Sequence, residues 1–240
     1  MSEARGAAAQ AGPEPGGRTQ ASILEQALRQ DLINGRFEAG AKLRLKDLSA
    51  RYGAGVIPLR EALSRLCASG FVVAVDQKGF RVAELSKDDL RDITLARQQI
   101  ESLALREAIA RADPQWEGEV VAALHRIRRM AITVPGQDRQ MSPDWENAHT
   151  EFHATLLKGC GSVWLQRFST QLRDQTSRYR YLSLAVARPE RGSEVRTEHQ
   201  AIVDAILAGD ADQACELLTR HYQTTADLLL AHMGAARPAT

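Results

Sequence analysis

Across 240 residues the apolar pattern changes period clearly at one place, from the 3.6 of a helix to the 2 of a strand. Phe71, Val73 and Val75 alternate, Asp76-Gln77-Lys78-Gly79 supplies a turn, and Phe80 and Val82 return. That is the pattern of a β-hairpin. Elsewhere, from Ser22 to about Met233, apolar residues recur at steps of three and four, the spacing of amphipathic helices. A chain with one hairpin among helices cannot build a sheet-based domain. A mainly α fold with a small hairpin wing is expected.

The hairpin closes a recognisable order. A first helix opens near Ser22, a candidate N-cap, carries Ile23, Ala27, Leu28, Leu32 and Ile33, and stops at Asn34-Gly35. A short helix follows, with Leu45, Leu48 and Ala50 expected inward and Gly53 at its end. The next helix starts at about Pro58, which has no amide hydrogen to leave unpaired in a first turn. Its stripe is Leu59, Ala62, Leu63 and Leu66, and Gly70 is its stop. Helix, short helix, turn, helix, hairpin is the winged helix-turn-helix order, which holds one helix so that its N-terminal half enters a DNA major groove. Basic residues sit where contacts would fall: Lys46 on the short helix, Arg60 on the recognition helix, and Lys78 with Gly79 at the wing tip. Arg44, Arg51 and Arg65 are further candidates for phosphate contacts.

Charge supports the division. The net charge is +1, but residues 20–87 carry 11 Lys/Arg against 7 Asp/Glu, and residues 88–240 carry 18 against 21. A basic segment joined to a mildly acidic remainder fits a nucleic-acid module fused to a different domain. The expected organisation is a disordered Ala/Gly/Pro-rich tail over 1–19, a DNA-binding domain over 20–85, an all-α antiparallel bundle of about six helices over 86–233, and a frayed end over 234–240. Ser86 and Asp89 form a capping box opening the bundle. Breaks are expected at Asp113-Pro114, 133–143, 158–162, 188–192 and Ala208-Gly209-Asp210. No window reaches the ~18 uncharged apolar residues of a membrane span, and the N-terminus lacks a secretory pattern. Cys67, Cys160 and Cys215 form no disulfide framework or metal motif. A cytoplasmic protein with no membrane partner is expected.

Four histidines in the acidic segment are candidate metal ligands. His149 and His153 are four residues apart, hence on one helix face. His199 and His221 flank the Ala208–Asp210 turn, which can return one helix antiparallel to the other. Facing helices of this kind can build a metal site in a bundle core. Arg97, Arg178 and Arg180 are candidates for clamping a carboxylate effector. Trp145 and Trp164 are expected to be packing residues, and Cys160, beside glycines, is a candidate for exposure. An alternative reading is a metal-dependent hydrolase with an appended helix-turn-helix domain, since His149-Thr150-Glu151-Phe152-His153 superficially matches a zinc-protease pattern. The glutamate is misplaced for that chemistry, two residues after the first histidine instead of one.

Several motifs together resemble a known family. Leu32-Ile33-Asn34-Gly35, Gly40-Ala41-Lys42-Leu43 and Pro58-Leu59-Arg60-Glu61-Ala62-Leu63-Ser64-Arg65-Leu66 with Gly70-Phe71-Val72 resemble the N-terminal domain of GntR-family transcriptional regulators. Arg97-Gln98-Gln99-Ile100-Glu101, Phe152-His153-Ala154-Thr155-Leu156, Glu198-His199-Gln200-Ala201-Ile202, Ala208-Gly209-Asp210-Ala211 and His221 resemble the FCD ligand-binding domain of the FadR branch, in its shorter VanR-like six-helix form. The resemblance implies DNA contacts at Lys46, Arg60 and Gly79, a homodimer on a palindromic operator, and an effector in the helical domain. Gly55-Val56-Ile57 replaces the usual Ser-Arg-Thr, removing a capping serine and a DNA-contacting arginine and placing Val56 and Ile57 where they can meet a thymine methyl. The resemblance also implies a metal site in which His153, His199 and His221 match three histidine ligands and His149 stands in place of an aspartate. Four neutral imidazoles leave a divalent ion's charge uncompensated and suit Zn or Ni better than Mg or Ca. That charge favours an anionic effector, a small carboxylate. The implied function is a DNA-binding regulator under effector control, with no enzymatic activity.

Overall fold

The computed structural model describes residues 18–76, 78–179, 182 and 191–235. The first domain is built on three helices. α1 (Gln20–Ile33) is capped by Thr19, whose hydroxyl accepts from the Ser22 N–H at 3.2 Å, so the cap falls before the Ser22 expected from sequence. Its Leu24, Leu28 and Leu32 pack on α3 (Val56–Ala68), where Leu59, Ala62, Leu63 and Leu66 are fully buried. Between them, α2 (Leu45–Tyr52) buries Leu48 but leaves Ala50 exposed, because an eight-residue helix offers one narrow inward stripe. α2 ends on Gly53 at φ 60°, a left-handed cap that glycine adopts without strain.

α3 begins two residues before Pro58, and Gly55 is its N-cap with no side-chain hydrogen bond. The wing is a three-stranded antiparallel sheet in the order β1-β3-β2: β1 (Lys42–Leu43), β2 (Val72–Val75) and β3 (Gly79–Val82). Val72 pairs with Val82 and Val75 with Gly79. Phe71 and Val72 are both buried and Val73 faces solvent, so the strand's phase is set by Val72. The two-residue β1 is too short to show a period in sequence.

The second domain is a bundle of six described helices. α4 (Lys87–Arg111) is capped by Ser86, whose Oγ accepts from the Asp89 N–H. α5 (Pro114–Arg128), α6 (Pro143–Lys158), α7 (Val163–Ser177), α8 (Arg191–Leu207) and α9 (Ala211–Ala235) follow. α9 lies between α4 and α8, α4 packs on α7, and α5 packs on α6 and α8. One correction concerns the expected all-helical composition of this domain. The 133–143 break holds a second hairpin, β4 (Thr133–Val134) and β5 (Gln137–Met141), turned at Gly136 with φ 76°. Its strand Gln-Asp-Arg-Gln-Met has no apolar alternation to betray it, and its last residue, Met141, enters the core. Among the described residues no helix is long and apolar enough to cross a membrane.

The end of α7 ties the two domains together. Asp174 pairs with Arg29 of α1 at 2.6 Å, and Gln175 Nε2 donates to the Ser69 carbonyl at 2.9 Å. Arg178, just past α7, donates to the Gly70 carbonyl at 3.1 Å and pairs with Asp89 at 2.5 Å. The fully buried Tyr179 donates to Asp89 and accepts from the Ser86 N–H at 3.2 Å. Linker, wing base and bundle thus share one hydrogen-bonded junction. Tyr179→Phe preserves the packed ring and removes the hydroxyl, leaving the Ser86 amide and the Asp89 carboxylate each short of a partner at the junction. The expected result is a loss of about 1–2 kcal/mol in urea unfolding, read as a lower midpoint at unchanged slope.

Candidate metal centre and effector cavity

Three helices converge on the histidines. α6 brings His149 and His153, α8 brings His199, and α9 brings His221 back across the Ala208–Asp210 turn. Ligand atoms of the four lie within 4.8 Å of one another. His153, His199 and His221 are buried and His149 is half-buried. His153 Nε2 stands 3.2 Å from His149 Nε2, and the Trp145 ring stacks on His149 at 4.7 Å.

The groups behind the histidines orient their rings. Tyr222 donates its hydroxyl proton to Glu101, so it accepts from His153 Nδ1 at 3.2 Å. That leaves His153 Nε2 with its lone pair toward the cluster. Glu101 is held in turn by Arg97, whose Nε donates at 3.1 Å and whose guanidinium lies 4.0 Å over the Tyr222 ring. On the other side His221 Nδ1 donates to Glu198 at 2.6 Å, and Arg191 grips the same carboxylate. Partners of this kind fix which nitrogen of a ligating histidine is free to bind. His199 Nε2 is buried and has no hydrogen-bond partner among the described residues. An orphaned nitrogen inside a ring of imidazoles fits a bound cation.

Burial keeps three of the four histidines neutral. Burial, reinforced by the neighbouring imidazoles, lowers His153 and His199 well below the ordinary histidine value. Burial also lowers His221, though Glu198 opposes it. Burial would raise Glu198, but the bonds from His221 and Arg191 outweigh it and hold the carboxyl down to about 2. Neutral imidazoles at neutral pH are the form that binds metal.

The cluster opens on a cavity of about 140 Å³ lined from α4, α6, α7, α8, α9 and the second hairpin. A single water needs only about 10–15 Å³ by this measure, so the space suits an organic molecule. Arg97 lines it, as expected. Arg178 does not: one residue past α7 it sits on the linker side and is committed to Asp89 and Gly70. Arg180 lies outside the described residues. Arg191, overlooked in the sequence, lines the cavity, and its legible trace was the two-turn spacing to Glu198. Glu101 stood inside the matched segment 97–101 without a role of its own, and Tyr222 carried no signal beyond adjacency to His221. Trp145 packs at the cavity wall, whereas Trp164 is 63% exposed, against expectation, because it stands in the first turn of α7 on its outer face. Cys160 is buried, not exposed, its thiol turned in among α7 contacts. Glu151 points away from the histidines and pairs with Arg126 at 2.7 Å.

On the first domain, Lys46, Arg60, Lys78 and Gly79 are exposed, Ile57 is 82% exposed and Val56 stands beside it. Lys46, Arg60 and Lys78 form no ion pair with a described residue. Arg51 is drawn onto Asp31 at 3.1 Å and Arg65 onto Glu61 at 2.6 Å.

Residues 20–82 match the family profile "Bacterial regulatory proteins, gntR family", and residues 92–224 match "FCD domain". The chain belongs to the GntR family. It is 38% identical over 207 residues to the uncharacterized HTH-type transcriptional regulator BphR of Paraburkholderia xenovorans, covering 85% of this chain and 84% of that protein. It is 38% identical over 199 residues to the HTH-type transcriptional repressor GlaR of Escherichia coli, covering 82% and 90%. Among solved structures, Escherichia coli McbR/YncC superposes with a TM-score of 0.72 at 20% identity, over 90% of this chain and 100% of that one. This GntR member is therefore a transcriptional regulator with a DNA-binding helix-turn-helix domain and an FCD domain, not an enzyme. The hydrolase alternative falls with that assignment, as it does with the position of Glu151.

An imidazole whose folded pKa lies below the 6.5 of the exposed group takes up its proton in the unfolded chain first. Stability is then unaffected well above pH 6.5 and falls as pH drops through that value. Metal-stripped protein should show a melting temperature that is flat above about pH 7 and declines toward pH 5. The decline should flatten in His153→Gln/His199→Gln.

Proposed function

We propose that this regulator binds operator DNA through its N-terminal domain and that a small carboxylate, bound at a divalent metal in the helical domain, sets the operator affinity. The observation that carries the reading is the cluster of four converging imidazoles opening on a cavity beside Arg97. His149, His153, His199 and His221 would hold the ion. With no anionic ligand in the set, Zn or Ni suits it better than the oxygen-seeking Mg or Ca. Bound there, the metal supplies a positive charge that nothing in its ligand set neutralises, and Arg97 adds a directional donor for a carboxylate. An effector changes DNA affinity only by binding two conformations unequally, typically by 1–3 kcal/mol of coupling.

The DNA reading assigns Arg60, Val56 and Ile57 at the start of α3 to the major groove, Lys46 to phosphate, and Lys78 with Gly79 to the wing contact. A homodimer on a palindrome in the cytoplasm completes it. Support for the dimer comes from α4 and α7, packed side by side, which leave Leu95, Leu103, Trp164 and Phe168 largely exposed. Surfaces of that kind mark interaction sites.

Two measurements test this reading. In a shift assay on the DNA upstream of its own gene, Arg60→Ala should weaken binding about tenfold or more, and Lys46→Ala should reduce the salt slope by about one. In thermal unfolding of stripped protein, ZnCl₂ or NiCl₂ should raise the melting temperature by several degrees. MgCl₂ should not, and His153→Ala/His199→Ala should abolish the rise. A stripped protein indifferent to Zn and Ni that still releases DNA on effector binding would remove metal from the proposal.

A further inference from the structure

Among its described lining residues the cavity carries charged side chains and histidines at one end only, and that limits what fits it. At the histidine end Arg97 commits Nε and Nη2 to Glu101, at 3.1 and 3.5 Å, and keeps Nη1 without a described partner. From there the cavity follows successive turns of α4 and α9, past Thr94 and Ala226, to Leu90 and Leu229, which cluster together. Hydroxyls occur along this length, but their protons are engaged. Thr94 donates to the Leu90 carbonyl at 2.7 Å, Thr176 to that of Leu172 at 2.8 Å, and Thr225 to that of His221 at 3.1 Å. Such hydroxyls accept hydrogen bonds and offer none. The terminal nitrogens of Arg191 are turned onto Glu198. A second carboxylate at the Leu90–Leu229 end would shed its water and meet no donor among the described lining residues, an arrangement that burial penalises heavily.

We infer that the effector is a monocarboxylate with an apolar tail. The inference rests on reading the histidine cluster as the effector site. The head lies at Arg97 and the histidines, and the tail runs past Ala226 to Leu90 and Leu229. There it meets the same apolar cluster that contains Tyr179, the residue bonded to Ser86 and Asp89 at the domain junction. A tail long enough to reach that cluster presses on the junction, and a head without a tail does not.

The test is calorimetric titration of the full chain, zinc-loaded and zinc-stripped, with hexanoate and with adipate, acids of equal carbon count. Hexanoate should bind the loaded protein at least about tenfold more tightly than adipate, since the tail's apolar burial is lost when its end is charged. Ala226→Leu, which fills the middle of the path, should cut hexanoate affinity at least about tenfold. That variant should keep the zinc-induced rise in melting temperature, which reports that it is folded. Adipate binding as well as hexanoate, or better, overturns the apolar tail and leaves the effector site standing. Binding of neither acid also overturns the inference. Hexanoate binding that survives both Arg97→Ala and His153→Ala/His199→Ala overturns the site itself.

Discussion

Three imidazoles can share a dry interior, with a fourth at its edge, only while they are uncharged. The helical domain is organised around that constraint. Each ring that could pick up a proton is surrounded by apolar bulk or by another ring, and the two carboxylates nearby, Glu101 and Glu198, are each answered by an arginine. Those ion pairs do more than balance charge. They hold Tyr222 and Glu198 where they orient His153 and His221, so the histidines face one another with their ligand atoms grouped. Removing Arg97 or Arg191 would release the carboxylate it holds, and the effect would reach the histidines through one intermediate residue.

Much of this was legible in the sequence, for identifiable reasons. Helix periodicity in α1 and α3 was strong because each buries one clean stripe, and the glycines at 53 and 70 mark real left-handed caps. The histidine quartet was visible because two members share a helix face and two flank a tight turn. What was not legible depended on partners distant in the chain. Arg178 looked like a cavity residue until Asp89 and Gly70 were placed beside it. Tyr222 is an ordinary tyrosine until Glu101, 121 positions away, takes its proton. The second hairpin left no trace because its strand Gln137–Met141 carries no apolar alternation in sequence.

The DNA-facing surface shows a related trade. With Gly55 as the N-cap, α3 starts without the side-chain bond that a serine would add, typically worth about 1 kcal/mol, and its first turn is closed by Pro58 and by packing of Leu59. The helix is therefore held from below, by its buried stripe, and its exposed end is free to carry Val56 and Ile57 in water. A surface of that kind offers apolar contact where a polar side chain would offer a hydrogen bond.

Gly70 joins these themes. Its φ of 72° ends α3, and a Cβ there would lie 2.4 Å from the Gln175 amide that bonds Ser69. The stop signal of α3 is thus also a point where the FCD domain is seated. A DNA-binding half transplanted from elsewhere would need more than a compatible linker. It would need a residue at this point that takes the left-handed φ and leaves the Gln175 amide its bond to Ser69, so the two halves of this regulator are less interchangeable than their separate cores suggest.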